Sequence, residues 1–231
     1  MLYQTHARIH LQNIRFNIEG IRQAVGPERK ILIAVKANGY GHGAVEVSRM
    51  AERIGVAWLG VATVPEGLQL RAAGIRLPIL KLSHAFPEEM AAAVEQDLTL
   101  AVCDRANADA LESVCRAVGR AANVHLKLDT GMGRIGVAPE EAPALAEHIE
   151  RACPHVRLEG IFSHLPVSDA ADPTYTQAQI ARFQATVDAI HAALGRRVEL
   201  VHCANSGAVL AHPDAWFDMV RPGIMIYGFR P

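Results

Sequence analysis

The sequence contains little that would place it in a specialised class of protein. Its 23 basic residues are balanced by 24 acidic residues, and neither sign forms a long block. We therefore expect no nucleic acid and no membrane surface among its partners, and predict a small-molecule partner instead. No segment is apolar for long enough to span a bilayer, and we expect no secretory signal at the N-terminus.

Cysteine is also scarce, and its spacing argues against two common kinds of site. The four cysteines lie far apart in the sequence and include no C-x-x-C pair; they are Cys103, Cys115, Cys153 and Cys203. Zinc cages and redox dithiols usually need two cysteines close together, so the sequence predicts no metal site. Reduced thiols are typical of the cytoplasm, which is the expected location of the protein.

The sequence does contain a regular alternation of short apolar runs and amphipathic stretches of helical period, which is typical of βα units. The predicted strands lie at residues 31–36, 57–62, 78–82, 98–102, 123–129, 157–163, 198–204 and 217–220. Eight strands in 231 residues fit one (β/α)8 TIM barrel of the α/β class, so residues 1–231 are expected to form one domain. The stretch LQNIRFNIEGIRQAV predicts an extra helix before the first strand.

Three helix starts are predicted where proline is followed by glutamate, at Pro65, Pro87 and Pro139. Proline fits the first turn of a helix, and acidic side chains there complement the helix dipole. Each of these helices would follow a predicted strand and complete a βα unit.

The residues that follow the strands of such a barrel meet at one face, where catalytic groups are found. Polar groups of different chemistry occupy this position in the sequence. They are Lys36, Asn38, Tyr40 and His42 after the first strand, Lys127, Asp129 and Arg134 around the fifth, Ser163 and His164 after the sixth, Asn205 and Ser206 after the seventh, and Arg221, Gly223 and Ile224 after the eighth. Such a set is expected of an active site at the mouth of the barrel, the open end at which the strands finish.

Lys36 has two interpretations. A lysine at a strand end is most often simply solvated, but among apolar strand residues its ammonium would be desolvated, which lowers the pKa and frees the amine to attack a carbonyl. Such a lysine can hold pyridoxal 5′-phosphate (PLP) as a Schiff base. The segments NSGA and RPGI offer a hydroxyl and backbone amides for the phosphate, although Asn205 and Ser206 are equally suited to a helix N-cap.

Five motifs carry a resemblance to a known family. In order, AVKANGYGHGA, HLKLDTGMGRIGV, LEGIFSHL, LVHCANSGAVL and MVRPGIMIYG resemble the N-terminal, PLP-binding barrel of alanine racemase, from about residue 6 to residue 231. The resemblance implies an isomerase that interconverts L- and D-alanine and supplies D-alanine for cell wall peptidoglycan. It implies that Lys36 carries PLP in the Schiff base and exchanges the α-proton of the D-enantiomer. The implied phosphate-binding residues are Tyr40, Ser206, Gly223 and Ile224.

The resemblance also implies roles for four more residues. Arg221 would face the pyridine nitrogen, and since a guanidinium donates without accepting, the nitrogen would stay unprotonated and the ring would be a weaker electron sink. His164 would hydrogen-bond Arg221; without the family it would be an ordinary strand-end histidine. Arg134 would lie beside the cofactor's phenolic oxygen and the substrate carboxylate. Lys127 matches a lysine that is carbamylated in some members, and carbamylation would let it pair with Arg134.

Alanine racemases carry a second, β-rich domain, which supplies a catalytic tyrosine to the partner subunit's site. The chain stops where that domain would begin, so we expect the N-terminal domain of a longer, homodimeric enzyme, weakly active or inactive alone. No tyrosine of the chain matches the position of that catalytic tyrosine; the four are Tyr3, Tyr40, Tyr175 and Tyr227. Three alternatives stay open: a single-domain PLP carrier, a racemase or lyase acting on serine or another amino acid, and a PLP-free barrel that binds a sugar phosphate.

Overall fold

In the computed structural model, which describes residues 5–231, eight parallel strands form one sheet that curls into a barrel. The strands are β1 (Lys30–Ala34), β2 (Trp58–Val61), β3 (Ile79–His84), β4 (Leu98–Val102), β5 (Ala122–Lys127), β6 (Val156–Phe162), β7 (Leu200–His202) and β8 (Met219–Val220). They pair in the order β7-β6-β5-β4-β3-β2-β1-β8. Parallel neighbours require crossover connections, which the helices between the strands provide. The predicted α/β class and TIM-barrel topology are confirmed.

Helices separate the strands and precede the first of them. The helical segments found in residues 5–231 are α1 (Leu11–Val25), α2 (Lys36–Tyr40), α3 (Ala44–Arg53), α4 (Val64–Ala72), α5 (Pro87–Glu95), α6 (Arg105–Val118), α7 (Ala142–Ala152), α8 (Thr174–Leu194), α9 (Ser206–Ala211), and two 3-10 turns, Pro213–Ala215 and Ile224–Tyr227. The predicted helix before the first strand is α1. Within the same residues, no helix combines the length and the apolar character that a membrane crossing requires.

The seam between β7 and β8 is closed by individual backbone hydrogen bonds. The N–H of Asp218 donates to the carbonyl of Val201 at 3.0 Å, and the N–H of Arg221 donates to the carbonyl of Ala204 at 2.8 Å. Because the second bond fixes the backbone of Arg221, closure of the barrel also sets where its side chain enters the mouth.

Apolar side chains fill both faces of the sheet, as expected for parallel strands covered by helices. Along β1, Ile31 and Ile33 join the large core between the strands and the helices, whereas Leu32 belongs to a second cluster. This second cluster packs inside the barrel; its members are Leu32, Trp58, Leu80, Leu200 and Met219. The interior below the mouth is therefore a packed core, and the chemistry is confined to the strand ends.

Two of the three predicted helix starts are confirmed, and the third is wrong. Pro65 lies in the first turn of α4, and Pro87 begins α5. The helix predicted from Pro139 instead begins at Ala142, after a turn. The reason is Pro143: in a helix starting at Pro139 it would lie one turn inside and remove a backbone hydrogen bond, whereas in α7 it occupies the first turn, where proline is tolerated.

Candidate active site

A cavity of about 240 Å³ opens at the end of the barrel where the strands finish. Ten of the fourteen strand-end residues named from the sequence line it: Lys36, Tyr40, Lys127, Arg134, His164, Asn205, Ser206, Arg221, Gly223 and Ile224. The other lining residues are Ala34, Leu82, Phe162, Ser168, Asp169, Gly207 and Pro231. Four strand-end residues named from the sequence do not line it; they are Asn38, His42, Asp129 and Ser163. The fold thus brings the candidates together, while their chemical roles stay predictions.

Lys36 begins a turn whose backbone is left-handed. Ala37, Asn38 and Tyr40 have φ of 50°, 53° and 53°, a region that costs a residue with a Cβ roughly 1–2 kcal/mol. Two side chains hold this turn: Glu66 accepts the backbone N–H of Ala37 at 2.7 Å, and the Asn38 carbonyl oxygen accepts the first N–H of α3 at 2.9 Å. The turn is consequently a braced element that directs Lys36 into the cavity.

The electrostatic surroundings of Lys36 favour its neutral form. Burial is the main cause that lowers the pKa of this lysine, and the nearby guanidinium groups of Arg134 and Arg221 lower it further, whereas Glu66 opposes them. A larger fraction of the amine is therefore unprotonated at neutral pH than for a solvated lysine. This is the property that a nucleophilic or basic lysine needs.

Tyr40, Ser206 and Gly223 converge on one side of the cavity. The Ser206 hydroxyl oxygen accepts the backbone N–H groups of Gly223 at 2.9 Å and Met225 at 3.4 Å, which leaves its own proton to donate elsewhere. A Cβ at Gly223 would lie 2.7 Å from the Tyr40 hydroxyl, so the close approach requires glycine. Burial raises the pKa of Tyr40, which keeps its hydroxyl a donor. Hydroxyl donors beside backbone amides suit a phosphate.

Asn205 lines the cavity, but both ends of its amide already bond protein atoms. Its oxygen accepts the N–H of Ala208 at 3.2 Å, as the N-cap of α9, and also the Ser168 hydroxyl at 2.6 Å. Its amino group donates to the carbonyl of Leu165 at 2.7 Å. The helix-capping interpretation of Asn205 therefore has direct support from the geometry, and its capacity for a ligand is small.

Arg221 is buried at the floor of the cavity and is held by several acceptors. Its Nη2 donates to the carbonyls of Ser163 at 2.7 Å and Cys203 at 3.2 Å, and its Nη1 donates to Nδ1 of His202 at 3.0 Å. Burial lowers the pKa of Arg221 to about 10, so the guanidinium stays charged at neutral pH. The contact expected from the family, with His164, is present at the outer limit of hydrogen bonding, 3.5 Å from Nη2 to Nδ1.

A buried chain of polar groups that was not predicted from the sequence lies behind Arg221. Nε2 of His202 lies 2.8 Å from Nδ1 of His125, and Nε2 of His125 lies 3.5 Å from Oε2 of Glu159. The last distance is long for a hydrogen bond, and neither atom has a closer hydrogen-bond partner. Burial lowers the pKa of both histidines, so each is neutral at pH 7. The signal in the sequence was a histidine inside each of two apolar strands.

Two other basic groups of the cavity lose charge through burial. Nζ of Lys127 lies 4.3 Å from the ring centre of Phe162, and burial followed by the charge of Arg221 lowers the pKa of Lys127 to about 7. Burial and the same guanidinium lower the pKa of His164 to about 3. At neutral pH the imidazole is therefore neutral and the lysine is partly neutral, which relieves the repulsion among the cations.

Asp129 shapes the loop that carries Arg134. Its carboxylate accepts the backbone N–H groups of Gly131 at 2.9 Å, Gly133 at 3.1 Å and Arg134 at 3.1 Å. Burial acts to raise the pKa of Asp129, but these donors outweigh burial and lower it. The Tyr175 hydroxyl braces the same loop by donating to the carbonyl of Gly131 at 2.6 Å. Asp129 thus orients the loop rather than lining the cavity.

Ser168 and Asp169 also line the cavity and were not predicted. They lie in the long connection between β6 and α8, several residues beyond the end of β6. The signal available in the sequence was the polar character of this whole connection, which extends beyond the two residues that follow the strand.

Comparison with protein families shows a match to the model described as alanine racemase, N-terminal domain, over residues 9–231. The chain is 43% identical over 227 residues to the alanine racemase of Desulforamulus reducens, a match that covers 97% of this chain and 60% of that protein. It is 45% identical over 229 residues to the alanine racemase of Cutibacterium acnes, a match that covers 98% of this chain and 60% of the relative. The chain therefore spans about 60% of the length of these curated relatives.

Solved structures give the same result. The alanine racemase of Clostridium difficile 630 in complex with cycloserine matches with a TM-score of 0.96 at 34% identity, over 100% of this chain and 63% of that one. The alanine racemase of Bacillus anthracis with bound L-Ala-P matches with a TM-score of 0.90 at 32% identity, over 96% of this chain and 57% of that one. The fold, the family match and the levels of identity agree, and the chain belongs to the alanine racemase family, whose cofactor is pyridoxal 5′-phosphate.

Proposed function

We propose that this barrel is the PLP-binding domain of an enzyme that interconverts L- and D-alanine. The observation that carries the proposal is that Lys36, with its lowered pKa, shares one cavity with the cluster of Tyr40, Ser206 and Gly223 and with the buried cation of Arg221. A phosphorylated aldehyde with a ring nitrogen fits this combination of an amine, hydroxyl and amide donors, and a fixed guanidinium.

The residues present suit PLP on physical grounds. Tyr40, Ser206 and the backbone amide of Ile224 would hold the phosphate. Gly223, whose N–H already donates to Ser206, would contribute by leaving room for the Tyr40 hydroxyl. Lys36 would attach the cofactor, and Arg221 would face its ring nitrogen. Bound PLP acidifies the α-hydrogen of an amino acid attached to it.

Side chains of this protein would then carry out the proton transfer. Nζ of Lys36 would take the α-proton on one face of the amino acid and return it there, which its partly neutral amine allows. The Arg221 guanidinium stays protonated because its pKa is about 10, so it offers a donor and no base. Arg134 would hold the substrate carboxylate from the loop that Asp129 orients.

Inversion of configuration needs a second base on the opposite face. Three tyrosines lie in residues 5–231, and Tyr3 lies outside the described part of the chain. Tyr40 lies in the proposed phosphate subsite, the Tyr175 hydroxyl donates to the Gly131 carbonyl, and the Tyr227 hydroxyl donates to the Ala34 carbonyl at 2.9 Å. We therefore propose that this chain alone exchanges the α-proton of D-alanine and inverts it slowly.

The test follows deuterium and configuration separately. PLP-saturated chain is incubated in D2O with D-alanine or L-alanine, deuterium is measured by mass spectrometry, and the enantiomers are separated by chiral chromatography. D-alanine should gain α-deuterium well before L-alanine appears. Lys36→Ala should lower this exchange by about 100-fold or more, the usual contribution of a positioned base, whereas Lys30→Ala, at the exposed start of the strand that precedes Lys36, should not.

Other outcomes would select the alternatives. PLP attachment without exchange of any amino acid would favour a carrier, and faster exchange of serine than of alanine would favour another substrate. A folded chain that takes up phosphate but no PLP would overturn the proposal in favour of a sugar-phosphate barrel.

We extend the proposal to Lys127. Carbamate forms from a neutral amine and carbon dioxide, and a pKa of about 7 makes that amine available in a buried lysine. The resulting anion would offset the positive charge of Arg134 and Arg221 in the cavity. Carbamylation should appear as an added carbon dioxide mass in bicarbonate buffer and should be absent in Lys127→Met.

The proposed assembly is a homodimer of the longer protein, with the mouth of the barrel covered by the partner. Apolar side chains stand exposed in segments that follow β3, β6, β7 and β8; they include Phe86, Val167, Leu210 and Phe229. Exposed apolar groups favour contact with a protein surface over contact with solvent. Sedimentation of a full-length relative and of this chain would test this assembly, and cell fractionation would test the predicted cytoplasmic location.

A further inference from the structure

The outer layer of the barrel holds a cluster of three side chains that the proposed reaction does not use. Asp109 lies in the second turn of α6, His148 lies near the end of α7, and Cys153 follows the last residue of α7. One oxygen, one imidazole nitrogen and one sulfur from these residues all lie within 4.8 Å of one another. None of the three lines the cavity at the mouth.

The contacts within the cluster converge on a single atom. Nε2 of His148 lies 2.5 Å from Oδ1 of Asp109, and the thiol of Cys153 lies 3.8 Å from the same oxygen. Two protons thus point at one carboxylate oxygen. Replacing those protons with one cation needs only small side-chain movements, because the three donor atoms already face a common point.

The thiol of Cys153 must release its proton to bind a cation, and the bound cation stabilises the thiolate that forms. A further carboxylate, that of Glu112, lies close enough to Cys153 to affect its charge. Glu112 is not available as a ligand, because it accepts hydrogen bonds from His155 at 2.8 Å and Arg116 at 3.2 Å. Its pairing with Arg116 and His155 leaves the three donor groups of the cluster to a cation.

We infer that Asp109, His148 and Cys153 form a binding site for a divalent cation of the zinc type, which joins α6 to α7. Thiolate, imidazole and carboxylate are the three ligand types that zinc takes in proteins, and the thiolate disfavours magnesium and calcium. Cys153 and His148 are 1% and 15% exposed, whereas Asp109 is 53% exposed, so a fourth position opens to solvent on the carboxylate side. The sequence spacing predicted no metal site; the ligands meet only because α6 and α7 pack side by side.

Cobalt(II) is the probe for the test, because a thiolate ligand gives it a charge-transfer band that nitrogen and oxygen ligands alone do not. The purified chain, with PLP bound, is titrated with Co²⁺ and then with Zn²⁺ in competition. We expect one thiolate-bound Co²⁺ per chain, displacement by Zn²⁺, and a higher melting temperature with Zn²⁺.

Substitutions assign the ligands. Cys153→Ser should abolish the charge-transfer band, and Asp109→Asn and His148→Gln should each weaken Zn²⁺ binding by about 100-fold or more, since even outer-shell losses cost about 10- to 100-fold. Cys115→Ser, which removes another buried thiol from α6, is the matched control and should bind as the unchanged chain does. The Asp109 variant alters an exposed side chain and therefore keeps the test decisive if Cys153→Ser fails to fold.

Two results would overturn the inference. One is a chain that shows no charge-transfer band and no Zn²⁺-dependent rise in melting temperature, in which case the cluster is a hydrogen-bonded link between α6 and α7. The other is a band that survives in the folded Asp109 and His148 variants with unchanged affinity, which would place the cation on other residues.

Discussion

The guanidinium of Arg221 donates Nη1 to Nδ1 of His202 across 3.0 Å in the closed interior of the barrel. A guanidinium cannot accept, so Nδ1 of His202 is the acceptor and, in the neutral ring, Nε2 carries the proton. That proton points at Nδ1 of His125, 2.8 Å away, which leaves the His125 proton on Nε2, facing Glu159. The charge of Arg221 thus sets the direction of every hydrogen bond in this buried chain of polar groups.

Loss of His202 should lower the stability of the protein, because it interrupts this buried chain of polar groups. In His202→Phe the ring can keep its stacking on Phe162, at 5.1 Å between centres, but Arg221 loses an acceptor and His125 loses a donor. We expect a loss of about 2–3 kcal/mol in the free energy of unfolding, measured by urea denaturation, because a hydrogen bond to a charged group is typically worth roughly 1.5–3 kcal/mol. His191→Phe is the matched control, since Nε2 of His191 is buried without a hydrogen-bond partner. Equal stability of the two variants would contradict the coupling.

Lys36 should be the residue that attaches PLP. Borohydride treatment of the PLP-loaded chain should fix one cofactor mass on the peptide containing Lys36, because burial and the neighbouring cations lower the pKa of this lysine. The rate of attachment should therefore reach half its maximum at a pH below the ordinary lysine value of about 10.4. Label on another lysine, or equal labelling of Lys36→Ala, would refute the assignment.

Lys127 should make stability depend on pH above neutrality. Its pKa is about 7 in the folded protein and about 10.4 in the unfolded chain, so between these values the unfolded state binds the extra proton. Stability should rise with pH across this window, by up to about 1.4 kcal/mol per pH unit for one proton. Below pH 7 both states carry the proton, so Lys127 should not make stability depend on pH there. Urea unfolding in buffers free of carbon dioxide measures the slope.

The comparison for that slope is Lys127→Met against Lys30→Met. The first substitution should flatten the rise with pH, because it removes the buried amine. The second removes an exposed lysine at the start of β1 and should leave the slope unchanged. If both variants keep the slope of the unchanged chain, the titrating group is not Lys127.

Gly223→Ala should lower the affinity for PLP. The added methyl group would lie 2.7 Å from the Tyr40 hydroxyl and would push that donor out of the proposed phosphate subsite. Loss of one hydrogen bond to a charged group corresponds to roughly a tenfold or greater loss of affinity, which a PLP titration followed by absorbance would measure. Gly20→Ala, in the middle of α1 with nothing near the new methyl group, should bind PLP normally and stabilise the helix. Unchanged affinity in Gly223→Ala would remove Tyr40 from the phosphate subsite.

Much of the molecule was determined by sequence patterns that act locally. The alternation of apolar runs and helical periods specified the eight strands, because each run can bury its side chains only as part of a covered parallel sheet. Parallel strands place their ends at one face, so residues directly after strands, such as Lys36, His164 and Arg221, could be grouped before any geometry was known. The exception, the start of α7, depended on which of two prolines fits a first turn.

Tertiary structure decided what depends on contacts between distant segments. The left-handed turn after Lys36 persists because Glu66, from another βα unit, accepts the N–H of Ala37 and offsets the backbone cost. The buried chain of polar groups from Arg221 to Glu159 joins side chains of β5, β6 and β7 inside the barrel. The residue pattern along one strand cannot predict which polar groups of different strands face each other there. Burial also set the pKa of Lys127, because desolvation depends on what surrounds an amine in space rather than on its neighbours in the sequence.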